Sequence, residues 1–171
     1  MNEPMSKPKN TWYDEGLSFE CTQCGNCCTG PTGYVWFCDE EAETMAGHLG
    51  MELEDFLKQY ARKVDGRWSL GENWNKQIHG YDCVFLRRDE TGKALCGIYP
   101  VRPAQCCTWP FWPENLRSSR SWQRTAHTCP GMNHGNFYPA EKIRIIRDQT
   151  PWAGGESKVN SPKSKVKKLK S

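Results

Sequence analysis

The sequence predicts a small, loop-rich α+β single domain stabilised by metal, with short strands, a hairpin and about three helices. Three observations lead there. The chain of 171 residues carries 10 cysteines, and cross-links through metal or disulfide replace apolar burial in a small core. Its hydrophobic fraction is 37% and its mean hydropathy -0.80, low for a well-stocked core. Short β-branched or aromatic runs share the chain with a few segments of helical periodicity.

Residues 1–18 read as a flexible, polar, Pro-containing lead-in, 19–150 as a cysteine-cluster metal-binding domain, and 151–171 as a disordered Lys-rich tail. After the cysteine loop, "GYVWF" (33–37) is aromatic and β-branched enough for a strand. Asp39, Glu40 and Glu41 then open a helix that ends at Gly50. Its late His48 is better read as a capping or solvated side chain than as a ligand. "MELEDFLKQYARKV" (51–64) reads as an amphipathic helix, with Leu53, Phe56, Leu57 and Tyr60 at i, i+3, i+4 and i+7 as its core-facing stripe. "GRWSL" follows, then "CVFLRR" and "ALCGIY" around the turn Asp89–Lys93, a hairpin with Cys83 on one arm and Cys96 on the other. "PVRPAQCCTWPFWPENL" holds Pro100, Pro103, Pro110 and Pro113, so it reads as largely irregular. A closing helix starts at Pro139, with Ile143 and Ile146 on one side.

No basic segment followed by an apolar run opens the chain, and no stretch nears the ~20 apolar residues that span a bilayer. A cytoplasmic protein without membrane contact is therefore expected, and clustered thiols in a reducing compartment serve metal more often than disulfides. The charge is uneven. Residues 157–171 carry six Lys and no acid; taking these from 23 basic residues leaves 17 against 20 acidic ones, so the body is -3. The tail is suited to weak contact with a polyanion or to solubility alone.

Cys21, Cys24 and Cys27 recur every third residue, a spacing that lets one loop turn three sulfurs inward. Gly25 sits where a positive φ is expected. The same spacing opens the bacterial ferredoxin run, whose last cysteine precedes a proline, as Cys129 precedes Pro130 here. Zinc is the competing occupant. Cys28 adjoins Cys27, and in an extended segment the two point to opposite sides. Cys83, Cys96, Cys106 and Cys129 add four sulfurs, enough for two four-thiolate sites or for an iron–sulfur cluster plus a structural site. His127 and His134 flank Cys129 as minor candidates; Cys38 and Cys107 have no partner of obvious spacing. Arg102, stiffened by neighbouring prolines, suits a contact with cluster sulfurs, with a carboxylate such as Asp82, or with backbone carbonyls. Trp109, Phe111 and Trp112 read as packing over the metal site.

In order, "CTQCGNCCTGPTGYV", "CVFL", "CGIYPVRPAQC", "TWPFW" and "CPG" resemble the bacterial and archaeal zinc- or iron-chelating CxxCxxCC-domain proteins, also called YkgJ-like. The resemblance spans residues 19–135. It implies a metal ligand set of Cys21, Cys24, Cys27, Cys28, Cys83, Cys96, Cys106 and Cys129, holding an iron–sulfur cluster or zinc. Cys107 stands where that pattern has a basic residue, and Cys38 lies outside it. The domain is also similar to part of the flagellin lysine N-methylases, which implies protein-lysine methyl transfer as an alternative; an iron–sulfur redox module is another. From the residues themselves an enzyme is not expected. The only glycine-rich turn, "GPTG" (30–33), leads into a strand rather than the helix a methyl donor's pocket favours, and no general base is evident. Catalytic residues and any protein partner stay unassigned.

Overall fold

The computed structural model describes residues 11–151. Residues 1–10 and the Lys-rich tail from 152 onward, with the disorder and polyanion contact expected there, lie outside the described residues. The packed chain begins before the cysteine loop: Tyr13 is 3% exposed, within the stretch read as a flexible lead-in. Arg147 donates to its hydroxyl at 3.1 Å. β1 (Leu17–Phe19) pairs antiparallel with β10 (Asn136–Tyr138), so the two ends of the domain close on each other.

β2 (Thr29–Gly30) and β3 (Trp36–Phe37) follow the cysteine loop, β3 being shorter than the run that predicts it. α1 spans Asp39–Leu49. Its acidic first turn faces the positive end of the helix dipole, and Gly50, at φ 67°, closes it left-handed. Glu41 uses both oxygens: Oε2 accepts from the Cys38 N–H at 2.8 Å, capping the helix, and Oε1 accepts from the Ala104 N–H at 2.7 Å. α2 spans Leu53–Tyr60, shorter than the run 51–64 that predicts it because Ala61–Val64 form a strand, and buries Phe56 completely, with Leu53, Leu57 and Tyr60 packed partly beside it. His48 is exposed in the last turn of α1, as expected.

β4 (Ala61–Val64), β5 (Arg67–Leu70), β6 (Glu72–Asn75), β7 (Gly80–Cys83), β8 (Leu86–Arg88) and β9 (Ala94–Cys96) come next. They make two three-stranded antiparallel sheets, β3-β5-β4 and β2-β7-β6, and the hairpin β8-β9. The predicted hairpin is present, with Cys96 on β9; Cys83 ends β7 instead and pairs with Glu72.

The proline-rich stretch is less irregular than predicted. A 3-10 turn covers Tyr99–Val101, α3 spans Ala104–Cys107 directly after Pro103, and α4 spans Pro113–Leu116. A proline that opens a helical turn loses no bond, because its missing N–H would have had no partner there. α5 (Ser119–Ala126) was not expected at all; Ser118 caps it by accepting from the Ser121 N–H. α6 (Ala140–Asp148) is the closing helix, with Ile143 fully buried. The described residues thus hold six α-helices where about three were expected, and the class is α+β. No helix among them is long and apolar enough to cross a membrane.

Two cores result. Phe37, Met45, Phe56, Leu70, Phe85 and Ile98 form one beneath α1 and α2. Tyr13, Phe111, Leu116, Trp122, Met132 and Ile143 form the other. Each fully buried side chain of this kind contributes about 1.5–3 kcal/mol, and neither group is large. Cys83 and Cys96 thus sit at one core and Cys129 at the other.

Candidate metal centre

The loop of residues 21–28 is pinned by hydrogen bonds to the segments that carry the distant cysteines. The Gln23 carbonyl accepts from the Ala94 N–H at 2.9 Å and the Cys24 carbonyl from Arg88 at 3.2 Å, both on the hairpin of Cys96. Asn26 donates to the Thr128 carbonyl at 2.8 Å, next to Cys129. The Cys28 carbonyl accepts from the Cys83 N–H at 2.8 Å. Gly25 makes the turn possible: its φ is 78°, and a Cβ there would lie 2.7 Å from that of Ala94.

Cys106 arrives from the opposite side on α3. Gln105, 4% exposed, sets that helix: its Oε1 accepts from the Trp36 N–H at 2.7 Å and its Nε2 donates to the Tyr34 carbonyl at 2.8 Å. The indole of Trp112 donates to the Gln105 carbonyl at 2.9 Å. Gln105 is the positioning residue that reading the sequence missed; its place directly before Cys106 was the only available signal.

Cys21, Cys27, Cys28, Cys83, Cys96 and Cys106 line one cavity of about 100 Å³, together with Arg102, Trp109 and Trp112. Cys24 and Cys129 do not line it. Cys129 is buried in the second core, where the Trp109 indole hydrogen-bonds its sulfur. All ten cysteines are free thiols. Cys38 sits exposed at the start of α1, away from the cavity, and partial burial pushes its thiol up to about 11. Cys107 is exposed, its Sγ 3.5 Å from the Arg102 carbonyl.

The expectation that Cys27 and Cys28 point apart is corrected. Their sulfurs lie 3.6 Å from each other, because the Cys28 N–H closes a turn on the Gly25 carbonyl at 2.9 Å and the segment is not extended. The two share one hydrogen, and this contact lowers the Cys27 thiol to about 7 and pushes that of Cys28 well up. Burial pushes Cys83, Cys96 and Cys106 up, and the charge of Cys27 adds to the effect at each. So many sulfurs in one place ionise together only with a cation among them.

Among the described residues no three His, Cys, Asp or Glu side chains already converge on a single coordination point. The donor set nevertheless fits a thiophilic metal: six sulfurs around one cavity is the chemistry of zinc or iron. A buried Arg102 Nε without a hydrogen-bond partner adds a donor suited to anionic sulfur. His127 and His134 are exposed and do not line the cavity. Asp82 accepts from Thr29 and Asn75 rather than from Arg102. Of the aromatic cover, Trp109 and Trp112 lie at the cavity, whereas Phe111 stacks on Trp122 in the second core at 5.7 Å. In "GPTG", the Gly33 N–H and the Thr32 hydroxyl both donate to Glu72.

The family model named CxxCxxCC, described as "Putative zinc- or iron-chelating domain", matches residues 20–130. An uncharacterized protein of Methanocaldococcus jannaschii is 34% identical over 99 residues, which cover 58% of this chain and 48% of that protein. The chain thus spans about half the length of that relative. No solved structure matches it.

Proposed function

For a chain that belongs to the CxxCxxCC family of zinc- or iron-chelating domains, we propose a metal-holding protein whose Cys21, Cys24, Cys27, Cys28, Cys83, Cys96, Cys106 and Cys129 thiolates supply the ligands. The observation that carries this reading is the convergence of six of those eight sulfurs on one cavity, reached from the loop, β7, β9 and α3. Cys24, from the loop, and Cys129, beside Trp109, complete the set. Cys27 ionises most readily of these thiols, and its charge pushes up Cys28, Cys83, Cys96, Cys106 and Cys129.

The bound species is an iron–sulfur cluster or zinc. An iron–sulfur cluster would supply electron transfer, and zinc a tetrahedral cross-link. The protein's own part is the same for both. Trp109 and Trp112 exclude water, the hydrogen bonds of the loop orient the sulfurs, and ligation joins two small cores. Ten unpaired thiols suit the reducing cytoplasm.

Anaerobic purification followed by iron, acid-labile sulfide and zinc determination tests the reading. A brown protein with sulfide indicates a cluster, and a colourless one with stoichiometric zinc indicates zinc sites. Metal-free protein whose ten thiols all titrate without loss of structure would refute both.

A further inference from the structure

One charged side chain beside the thiols, Arg102, has a buried Nε–H with no hydrogen-bond partner. Arg102 follows the 3-10 turn Tyr99–Val101 and precedes Pro103, with φ -56° and ψ 144°, so its backbone is held extended. Its guanidinium lies 3.8 Å from the centre of the Tyr99 ring, and Cys107, which does not line the cavity, approaches its carbonyl and hydrogen-bonds its head group. Those contacts fix where the head group sits. They leave its Nε–H buried without an acceptor, which costs about 1–3 kcal/mol unless something pairs with it. The side chain lines the cavity of Cys21, Cys27, Cys28, Cys83, Cys96 and Cys106. Asp82, the carboxylate considered from sequence, is occupied elsewhere.

Thiolates in excess of a divalent ion's charge leave a net negative site. A fixed cation with a directed N–H offsets that charge and orients the sulfur it touches. Arginine suits the task better than lysine, because a planar guanidinium stacks on an aromatic ring and still offers its edge donors.

We propose that Arg102 is a positioning residue of the metal centre, its buried Nε–H donated to a metal-bound thiolate of the cavity while Tyr99 holds the guanidinium from one face. This role presupposes the thiolate site proposed above. By it, Arg102 slows metal release and sets the electronic character of the bound sulfur. No bond forms or breaks.

Cobalt(II) is the probe, since its thiolate-to-metal absorption reports the environment of the bound sulfur. Full-length reduced wild type, Arg102→Gln and Arg102→Lys are loaded with cobalt, and release to a chelator is followed. The expected result is a displaced charge-transfer band in both variants and release ~10–100-fold faster in Arg102→Gln, the range found when an outer partner of a metal ligand is lost. Arg102→Lys restores the charge but not the stacked, directed donor, so its release falls between the two while its band stays displaced. It also serves if Arg102→Gln does not fold. A band and a release rate equal to wild type in both variants would overturn the role of Arg102 alone. A wild type that shows no thiolate–cobalt band overturns the metal site itself, and the role of Arg102 with it.

Discussion

Replacing Gln105 with leucine tests how the centre is assembled. The side chain is 4% exposed, and leucine fills nearly the same volume, so little cavity is created. What disappears is a clamp of two hydrogen bonds, from the Trp36 N–H at 2.7 Å and to the Tyr34 carbonyl at 2.8 Å. Both backbone groups lie in a partly buried segment and lose their acceptor or donor together. At ~1–3 kcal/mol for each group left unsatisfied, with solvent reaching part of the segment, Gln105→Leu is expected to destabilise the fold by about 2–4 kcal/mol. Urea unfolding of both proteins at the same free zinc concentration reads this directly. A slope of about 2 kcal/mol/M, the middle of the range for urea, turns the loss into a midpoint lower by about 1–2 M. Cys106 adjoins Gln105, so metal retention should fall as well. A midpoint within a few tenths of a molar of wild type, with unchanged slope and unchanged metal retention, would refute the reasoning. Gln105→Glu sharpens the test: its carboxylate still accepts from Trp36 but meets the Tyr34 carbonyl with like charge, so it should destabilise at neutral pH.

Gly25→Ala combines a φ of 78° with a new Cβ 2.7 Å from the Ala94 Cβ; a left-handed residue costs ~1–2 kcal/mol before any clash. Lower metal occupancy and a lower urea midpoint are expected, and equal occupancy would show that the turn tolerates a side chain. In metal-free protein, alkylation of Cys27 by iodoacetamide should follow a midpoint near 7, against 9.0 for an ordinary thiol, and Cys28→Ala should raise it by removing the donor. Because the folded value lies below the unfolded one, ionised Cys27 stabilises the metal-free fold fully above pH 9.0. That contribution shrinks as pH falls and is lost on passing about 7. A wild-type midpoint at or above the ordinary value would contradict the shared-proton geometry. Removing metal with a chelator should lower the urea midpoint of the fold without abolishing it, since ligation supplies folding energy. Cys27→Ser should lose metal where Cys38→Ser, away from the cavity, keeps it.

Local signals were legible in the sequence wherever neighbouring residues carried them. The acidic start and glycine stop of α1, the apolar stripe of α2 and the proline before α6 each act within one or two helical turns, and all three helices stand where those signals place them. α5 was not legible because Trp122 is its one fully buried anchor; a single apolar residue makes no periodicity. Tyr13 escaped notice for a related reason. Its burial depends on Phe111, Leu116 and Ile143, about 100 residues or more away in the chain, and nothing in the polar segment around it reports that.

For the metal centre the division runs along the same physical line. The sequence by itself determined the number of thiols, the three-residue spacing of Cys21, Cys24 and Cys27, and the need for a left-handed glycine between them, because peptide geometry sets how a short loop turns. Only the tertiary structure decided that Cys27 and Cys28 face the same way, that six sulfurs line one cavity while Cys24 and Cys129 do not, and that Gln105 and Arg102 attend them. Those outcomes depend on contacts such as Gln23 with Ala94 and Asn26 with Thr128. They form between segments far apart in the chain once the two cores have packed, so no local pattern of residues encodes them.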